Sequence, residues 1–454
     1  MGRALYDSKS KSCDDRGVHA LLTERHKIET WLLFEKMVAL SEAELGMIPQ
    51  HAADNIAENC DINKIDLEEV ARIKEVIGHG FMPLLKVLVK TCDEEGGKYV
   101  HYGLTTQNIQ QSSQLYIVKE VTTIFKTFLA DIVEHLSNIA LETKDYVMAG
   151  RTHGRHATPI TYGYKAAVWC QELMNNIERL EESEKRIYQV MTGGAVGCYS
   201  TIGGIGEELQ KKVAEKVGMG YMPVPSRNIC TQKLEYIMDM QLICNVLHKM
   251  AEEIYYTGIE EFGEAYEHFK KGTVGSSTMP HKINPKNAKG IIANSQKLYT
   301  LTQCGLNSSA RMFEGDSSQY MLFDAIIDET MELVLEVLMR AEELTGGLTV
   351  NKDRVYQNVL MNGGIDNAEH IMTQLADRIG RDKGHELMYE CSMEYLLNHK
   401  VFKDVLENHP LVKENFSDNE IEEMLKPENY VGIAAKLAED TAHRGFEFAK
   451  ELRK

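Results

Sequence analysis

The sequence predicts an all-α protein organised around a bundle of long helices. The first observation is proline: there are nine, and none falls between Pro159 and Pro223, between Pro225 and Pro280, or between Pro285 and Pro410. Helix interiors exclude proline, because its ring removes a donor and clashes with the preceding turn. The second is a set of Gly- and Pro-free segments with apolar residues at helical spacing. The third is the scarcity of the alternating pattern that a half-buried strand would show.

The elements follow in order. Leu104 to Ala149 contains neither Gly nor Pro, and Ile124, Phe128, Ile132, Leu136 and Ile139 share one helical face. A second stripe is Ile243, Leu247, Met250 and Ile254. The third is Leu322, Ile326, Thr330, Leu333 and Val337, inside a segment free of Gly and Pro from Asp316 to Thr345. Helices this long exceed the usual length of about 11–12 residues and point to a bundle. Gly and His gather instead in polar stretches at Gly78–Gly80, Gly150–Gly163, Gly193–Gly206 and Gly272–Gly290. These are expected to be loops, with a new helical segment from about Ile160, and loops on a rigid scaffold are where chemistry concentrates. Boundaries near residues 110 and 355 divide the chain into 1–110, 111–355 and 356–454.

Charge and cysteine usage narrow the function. Fifty Lys plus Arg against 68 Asp plus Glu leave a formal charge of −18. Non-specific nucleic-acid or anionic-membrane binding needs a basic surface, so both are excluded as expectations. An anionic substrate requires cations gathered locally. Nine Cys occur singly, with no CxxC, and read as reduced thiols of a cytoplasmic protein. The polar start MGRALYDSKSKSCDDRG shows no apolar leader, and no run is long enough to span a bilayer.

Three stretches carry candidate chemistry. In Gly272-Thr-Val-Gly-Ser-Ser-Thr-Met-Pro-His-Lys-Ile-Asn-Pro285, the hydroxyls of Ser276 and Ser277 stand in a Gly-flanked loop beside Lys282 and Asn284. Glycines let backbone N–H groups approach an anion, and the lysine adds a point charge. The stretch is neither a Walker A loop nor a nucleophile elbow. Met148-Ala-Gly-Arg-Thr-His-Gly-Arg-His-Ala-Thr-Pro159 offers Arg151, Thr152, His153, Arg155 and His156. His153 and His156 are three apart, yet no carboxylate or Cys lies close in sequence, so neither a metal nor another cofactor is expected. His101-Tyr-Gly-Leu-Thr-Thr-Gln-Asn108 opens the longest helix, where Thr105 and Thr106 either cap it or face an anion at its N-terminus. His79, in Gly78-His-Gly80, is a weak signal by itself.

Together these blocks resemble the fumarase/aspartase superfamily, from about Arg16 to the C-terminus. Ser276-Ser-x-Met-Pro-x-Lys-x-Asn284 matches its signature. Gly150-Arg-Thr-His-Gly154, the His-Tyr-Gly-Leu-Thr-Thr-Gln run and Gly194-Ala-Val-Gly197 resemble its other blocks, in order. Met-Pro-His-Lys and His79-Gly-Phe are most similar to the adenylosuccinate lyase and 3-carboxymuconate cycloisomerase branch. The resemblance implies an all-helical, three-domain subunit and a homotetramer sharing its central bundle, with active sites drawn from several subunits. It also implies a small anionic dicarboxylate-type substrate, and a lyase that breaks a C–N bond by β-elimination and releases fumarate. A cycloisomerase and an inactive structural relative are the alternatives.

By the same resemblance Ser276 is the general base, or Ser277 if the role moves by one residue, and His153 is the general acid. Lys282 stabilises developing charge, and His79, Thr105, Thr106, Gln107, Thr152, Arg227, Ser277, Met279 and Asn284 bind substrate. Proton abstraction beside a carboxylate builds a second negative charge, which preorganised donors must meet. Four positions depart from the family's pattern. Lys289 stands where a Glu usually supports the catalytic His, Leu5-Tyr6 replaces an Arg-Tyr pair, and Gly315-Asp-Ser-Ser-Gln-Tyr-Met321 lacks a Ser-Ser-x-x-Arg phosphate motif. Arg227 occupies the place of a substrate-contacting Gln. The two missing phosphate ligands argue against an AMP-sized substrate.

Overall fold

A computed structural model describes residues 13–269, 272 and 274–454. Leu5-Tyr6 lies outside the described residues. Two compact units are present, one made of residues 1–127, 176–245 and 293–339, the other of 128–175, 246–292 and 340–454. The expected helical class holds, and the few strands are short.

In the first unit, α1 (Glu24–Glu44) starts at Thr23, whose hydroxyl accepts the His26 N–H at 3.2 Å. Trp31, Leu32, Phe34 and Val38 of α1 pack with Phe81, Leu84 and Leu88, and with Leu209 and Val213 of the helix Ile205–Lys216. α2 (Leu67–Ile77) is capped by the Asp66 carboxylate and stopped by Gly78, whose φ of 62° suits a residue without Cβ. α3 (Met82–Thr91) begins under an unusual cap: the His79 Nδ1 accepts the N–H groups of both Phe81 and Met82 at 3.1 Å.

The long helices are α4 (Thr106–Glu142), α5 (Tyr162–Ile187), α6 (Thr231–Thr257), α7 (Asn287–Tyr299) and α8 (Ser317–Gly346). Their stripes are buried as expected: Phe128, Ile132, Leu136, Ile243, Leu247, Leu333 and Val337 are fully inaccessible. Polar ties add register in the first unit. The Ser183 hydroxyl donates to Asp239 at 2.6 Å, the Asn176 amide to the Leu242 carbonyl at 3.1 Å, and the Gln241 amide to the Leu298 carbonyl at 2.7 Å. In the second unit α9 (Ala434–Leu452) passes so close at Gly445 that a Cβ there would collide with the Ser137 hydroxyl. The second unit also holds its own small core, built from Ile371, Leu375, Leu387, Phe402, Leu406 and Val412. Among the described residues no helix is long and apolar enough to cross a membrane.

One expectation fails. The stretch from Gly150 to Gly163 is not a loop leading to a helix at Ile160. It is an antiparallel hairpin of β1 (Val147–Thr152) and β2 (Arg155–Thr161), with α5 beginning at Tyr162. Its turn is His153-Gly154, with φ of 53° and 72°, as a two-residue hairpin turn of the primed type requires. A register shift between Ala149 and Arg151 marks a bulge at Gly150, where a Cβ would meet the Thr158 carbonyl at 2.5 Å.

Candidate active site

His79, Thr105, Thr106, Gln107 and Arg227 all belong to the first unit. The Asn108 carboxamide organises the start of α4: its Oδ1 accepts the N–H of Thr105 at 3.2 Å and that of Gly194 at 3.0 Å. Asn108 is fully buried, so the Thr block and the Gly194–Gly197 block are fastened by one side chain. Capping by the Thr105 or Thr106 hydroxyl is therefore not what the structure shows. Among the described residues neither hydroxyl has a hydrogen-bond partner, and both are half-buried. Gly197, at φ 88°, lies against Pro225 and Ser226 and brings the segment before α6 to the same place.

Gln107 donates to Gln110 at 3.1 Å and accepts from Gln111 at 3.3 Å. Gly80, next to His79, lies 3.9 Å (measured from an added Cβ) from the Gln110 amide nitrogen. Because the His79 Nδ1 accepts two backbone N–H groups, its neutral ring carries the proton on Nε2, the nitrogen left to meet a ligand. His101, at the head of the block, has φ 62° and its Nδ1 lies 2.7 Å from the buried Glu35 carboxylate. Burial pulls the His101 pKa down, but the Glu35 charge and hydrogen bond outweigh it and hold the pKa above the ordinary value. Glu42, also buried, is pushed up to about 9 by burial and by the Glu35 charge.

The second unit brings together two groups. Thr152 and His153 are exposed at the tip of the hairpin. Behind them Arg151 grips Glu264 with hydrogen bonds of 2.5 and 3.1 Å, and Glu264 is fully buried and accepts the Asn358 amide at 2.8 Å. His156 faces Asp366, Nδ1 to Oδ2 at 3.2 Å, so this histidine is held in a carboxylate contact that its neighbours in sequence did not reveal.

The loop carrying Ser276, Ser277, Met279, Lys282 and Asn284 closes on itself. The Asn284 amide donates to the Gly275 carbonyl at 2.8 Å, and a Cβ on Gly275 would meet the Lys282 carbonyl at 2.6 Å. The Ser276 hydroxyl accepts the Met279 N–H at 3.2 Å, a local duty that the sequence did not disclose. Ser277, Met279 and Lys282 are exposed, while Ser276 and Asn284 are half-buried. The loop's C-terminal anchor is Glu267, whose carboxylate accepts the N–H groups of Lys286, Asn287 and Ala288 at 3.0, 2.9 and 2.7 Å. Three of the orphan donors at the start of α7 are thus satisfied by one acid from outside the helix. Lys289 is exposed in the first turn of α7.

Glu264, Glu267 and Asn358 were missed by reading the sequence, because no local spacing links them to the motifs they brace.

Known proteins resemble this chain in sequence and fold. The lyase family model matches residues 13–298, and the model for the adenylosuccinate lyase C-terminus matches residues 364–441. The chain is 32% identical to the adenylosuccinate lyase of Methanocaldococcus jannaschii, over 92% of this chain and 91% of that one. It is 28% identical to the N-acetyl-S-(2-succino)cysteine lyase of Dickeya dadantii, over 93% of both chains. The solved structure of the 3-carboxy-cis,cis-muconate lactonizing enzyme from Pseudomonas putida superposes with a TM-score of 0.86 at 25% identity, covering 97% of this chain and 98% of that one. With matches that run nearly end to end, the chain belongs to the lyase family and is a lyase of the fumarase/aspartase superfamily, near its adenylosuccinate lyase branch.

Proposed function

We propose that this lyase removes a proton beside a carboxylate of a succinyl-type substrate and expels an amine from the adjacent carbon, releasing fumarate. The observation that carries the reading is the unpartnered pair of hydroxyls on Thr105 and Thr106, half-buried at the N-terminus of α4. A helix N-terminus with free donors suits a carboxylate. Ser276 is the base, made competent when its loop stabilises the alkoxide and excludes water. His153 protonates the leaving group, and Lys282 with Asn284 meets the charge that develops on the substrate. Thr152, His79, Gln107, Ser277, Met279 and Arg227 complete the binding set.

A homotetramer in the cytoplasm, with sites drawn from several subunits and a three-part division near residues 110 and 355, belongs to the same proposal. Met238 and Leu242 on α6, Val168 on α5 and Met321 on α8 are exposed apolar side chains on the long helices, which supports burial against partner helices.

Incubation with fumarate and a panel of amines, followed by mass spectrometry, tests the reaction. Adducts with at least one amine are expected; their absence from the whole panel argues against it. A cycloisomerase is the second reading, favoured by the near full-length similarity to the muconate lactonizing enzyme. Turnover of 3-carboxymuconate without any amine adduct would reverse the order.

A further inference from the structure

We infer that Arg227 binds a carboxylate on the half of the substrate that leaves, so that the amine or thiol released bears an acid group of its own; this rests on the lyase reading above. The Arg227 guanidinium lies over the Tyr320 ring, 5.4 Å from its centroid. Gly315 packs against it, and a Cβ there would collide with its nitrogens. The side chain is therefore held in place and half-buried, yet among the described residues no carboxylate pairs with it, and its Nε is buried without a partner. A charge taken from water without a counter-charge is costly. An arriving anion removes that cost.

The surroundings are unsatisfied in the same way. The Asn228 Oδ1, the Arg311 Nε and both amide atoms of the fully buried Gln319 also lack hydrogen-bond partners. Asn228 joins the two arginine segments, its amide donating to the Arg311 carbonyl at 3.5 Å. The nearby Asp316 is engaged with Ser318, accepting its N–H at 2.9 Å and its hydroxyl at 2.8 Å.

Position assigns the leaving half. The Thr105–Thr106 pair lies at the head of α4, and the Gln107–Gln111 hydrogen bond of 3.3 Å continues along that helix toward Tyr320, whose hydroxyl Gln111 approaches. Arg227 is thus connected to the head of α4 through Tyr320 and two glutamine side chains, which stand between it and the hydroxyls that hold the dicarboxylate. A planar guanidinium fork matches a planar carboxylate with two parallel hydrogen bonds, whereas a glutamine at this place would recognise a neutral group equally well.

The test uses the reverse reaction, in which an N–H or S–H adds across the double bond of fumarate and its hydrogen ends on the neighbouring carbon. Fumarate is offered with matched pairs differing only in carboxylate against carboxamide: glycine with glycinamide, β-alanine with β-alaninamide, and N-acetylcysteine with its amide. Among pairs that react, the carboxylate member is expected to be favoured by about ten- to a hundredfold in kcat/KM. In Arg227→Gln that ratio collapses toward unity. Adducts without a preference in the unaltered enzyme, or a preference that survives in folded Arg227→Gln, overturn the inference and leave the lyase reading standing. Should the variant not fold, the preference of the unaltered enzyme decides alone. No adduct from any pair overturns both.

Discussion

Arg151 and Glu264 form a two-pronged ion pair, at 2.5 and 3.1 Å, in which the carboxylate is wholly buried and the arginine mostly so. The pair fastens the strand that leads directly to His153. Removing one partner of such a pair leaves an uncompensated buried charge, at a cost of about 3–5 kcal/mol. Glu264→Ala is therefore expected to lower the denaturation midpoint sharply and to reduce turnover by displacing the hairpin. Urea unfolding alongside kcat measures both; an unchanged midpoint would show that the hairpin is held by its strands alone.

Ser276→Ala separates structure from chemistry. Its hydroxyl accepts one hydrogen bond from the Met279 N–H in a partly exposed loop, worth about 0.5–1.5 kcal/mol. Stability should barely change, while loss of a positioned base lowers kcat by about 10²–10⁴ with substrate still bound. Calorimetric binding of substrate to the variant checks the second half. If Ser277→Ala is the inactive variant instead, the base is one residue further on.

Glu42 gives a pH dependence whose sign can be worked out. Its folded-state pKa, about 9, lies above the unfolded value near 4.5, so the fold favours the protonated acid. That favourable contribution is complete below about pH 4.5 and is lost as pH rises toward 9. Glu42→Gln keeps the shape and removes the titration, so its stability advantage over the unaltered protein should grow with pH, by up to about 1.4 kcal/mol per unit. Chemical denaturation at about pH 5 and about pH 8 reads this directly. A difference that does not change with pH would mean that water reaches the carboxylate.

Shared active sites can be tested by complementation. His153→Ala and Ser276→Ala proteins, each inactive, are mixed under conditions that exchange subunits. Recovery of part of the activity is expected, because some mixed sites then draw both intact residues from different chains. No recovery despite proven exchange would count against composite sites.

The helices were readable because burial is periodic: Phe128, Ile132 and Leu136 are spaced for one face and lie fully inaccessible. The hairpin was hidden by Gly150 and Pro159, which read as loop punctuation but serve a bulge and a strand residue paired with Ala149. Its one available cue was His153-Gly154, a dipeptide able to take positive φ twice. Ser276, Lys282 and Asn284 were legible as a group because they share one loop. Glu264, Glu267 and Glu42 were not, since an acid that braces or is buried beside a distant segment leaves no local pattern. His156 was weighed for metal binding with no acid in view, and the fold supplies Asp366 from 210 positions away.

In the proposed reaction Ser276 removes a proton beside a carboxylate as a group leaves the next carbon. Running the reverse addition in heavy water, with fumarate and an amine that reacts, tests it most directly. The adduct should carry one carbon-bound deuteron when made by the unaltered enzyme, and Ser276→Ala should yield neither adduct nor exchange of that hydrogen. Deuterium exchange at an undiminished rate in folded Ser276→Ala would show that another group moves the proton.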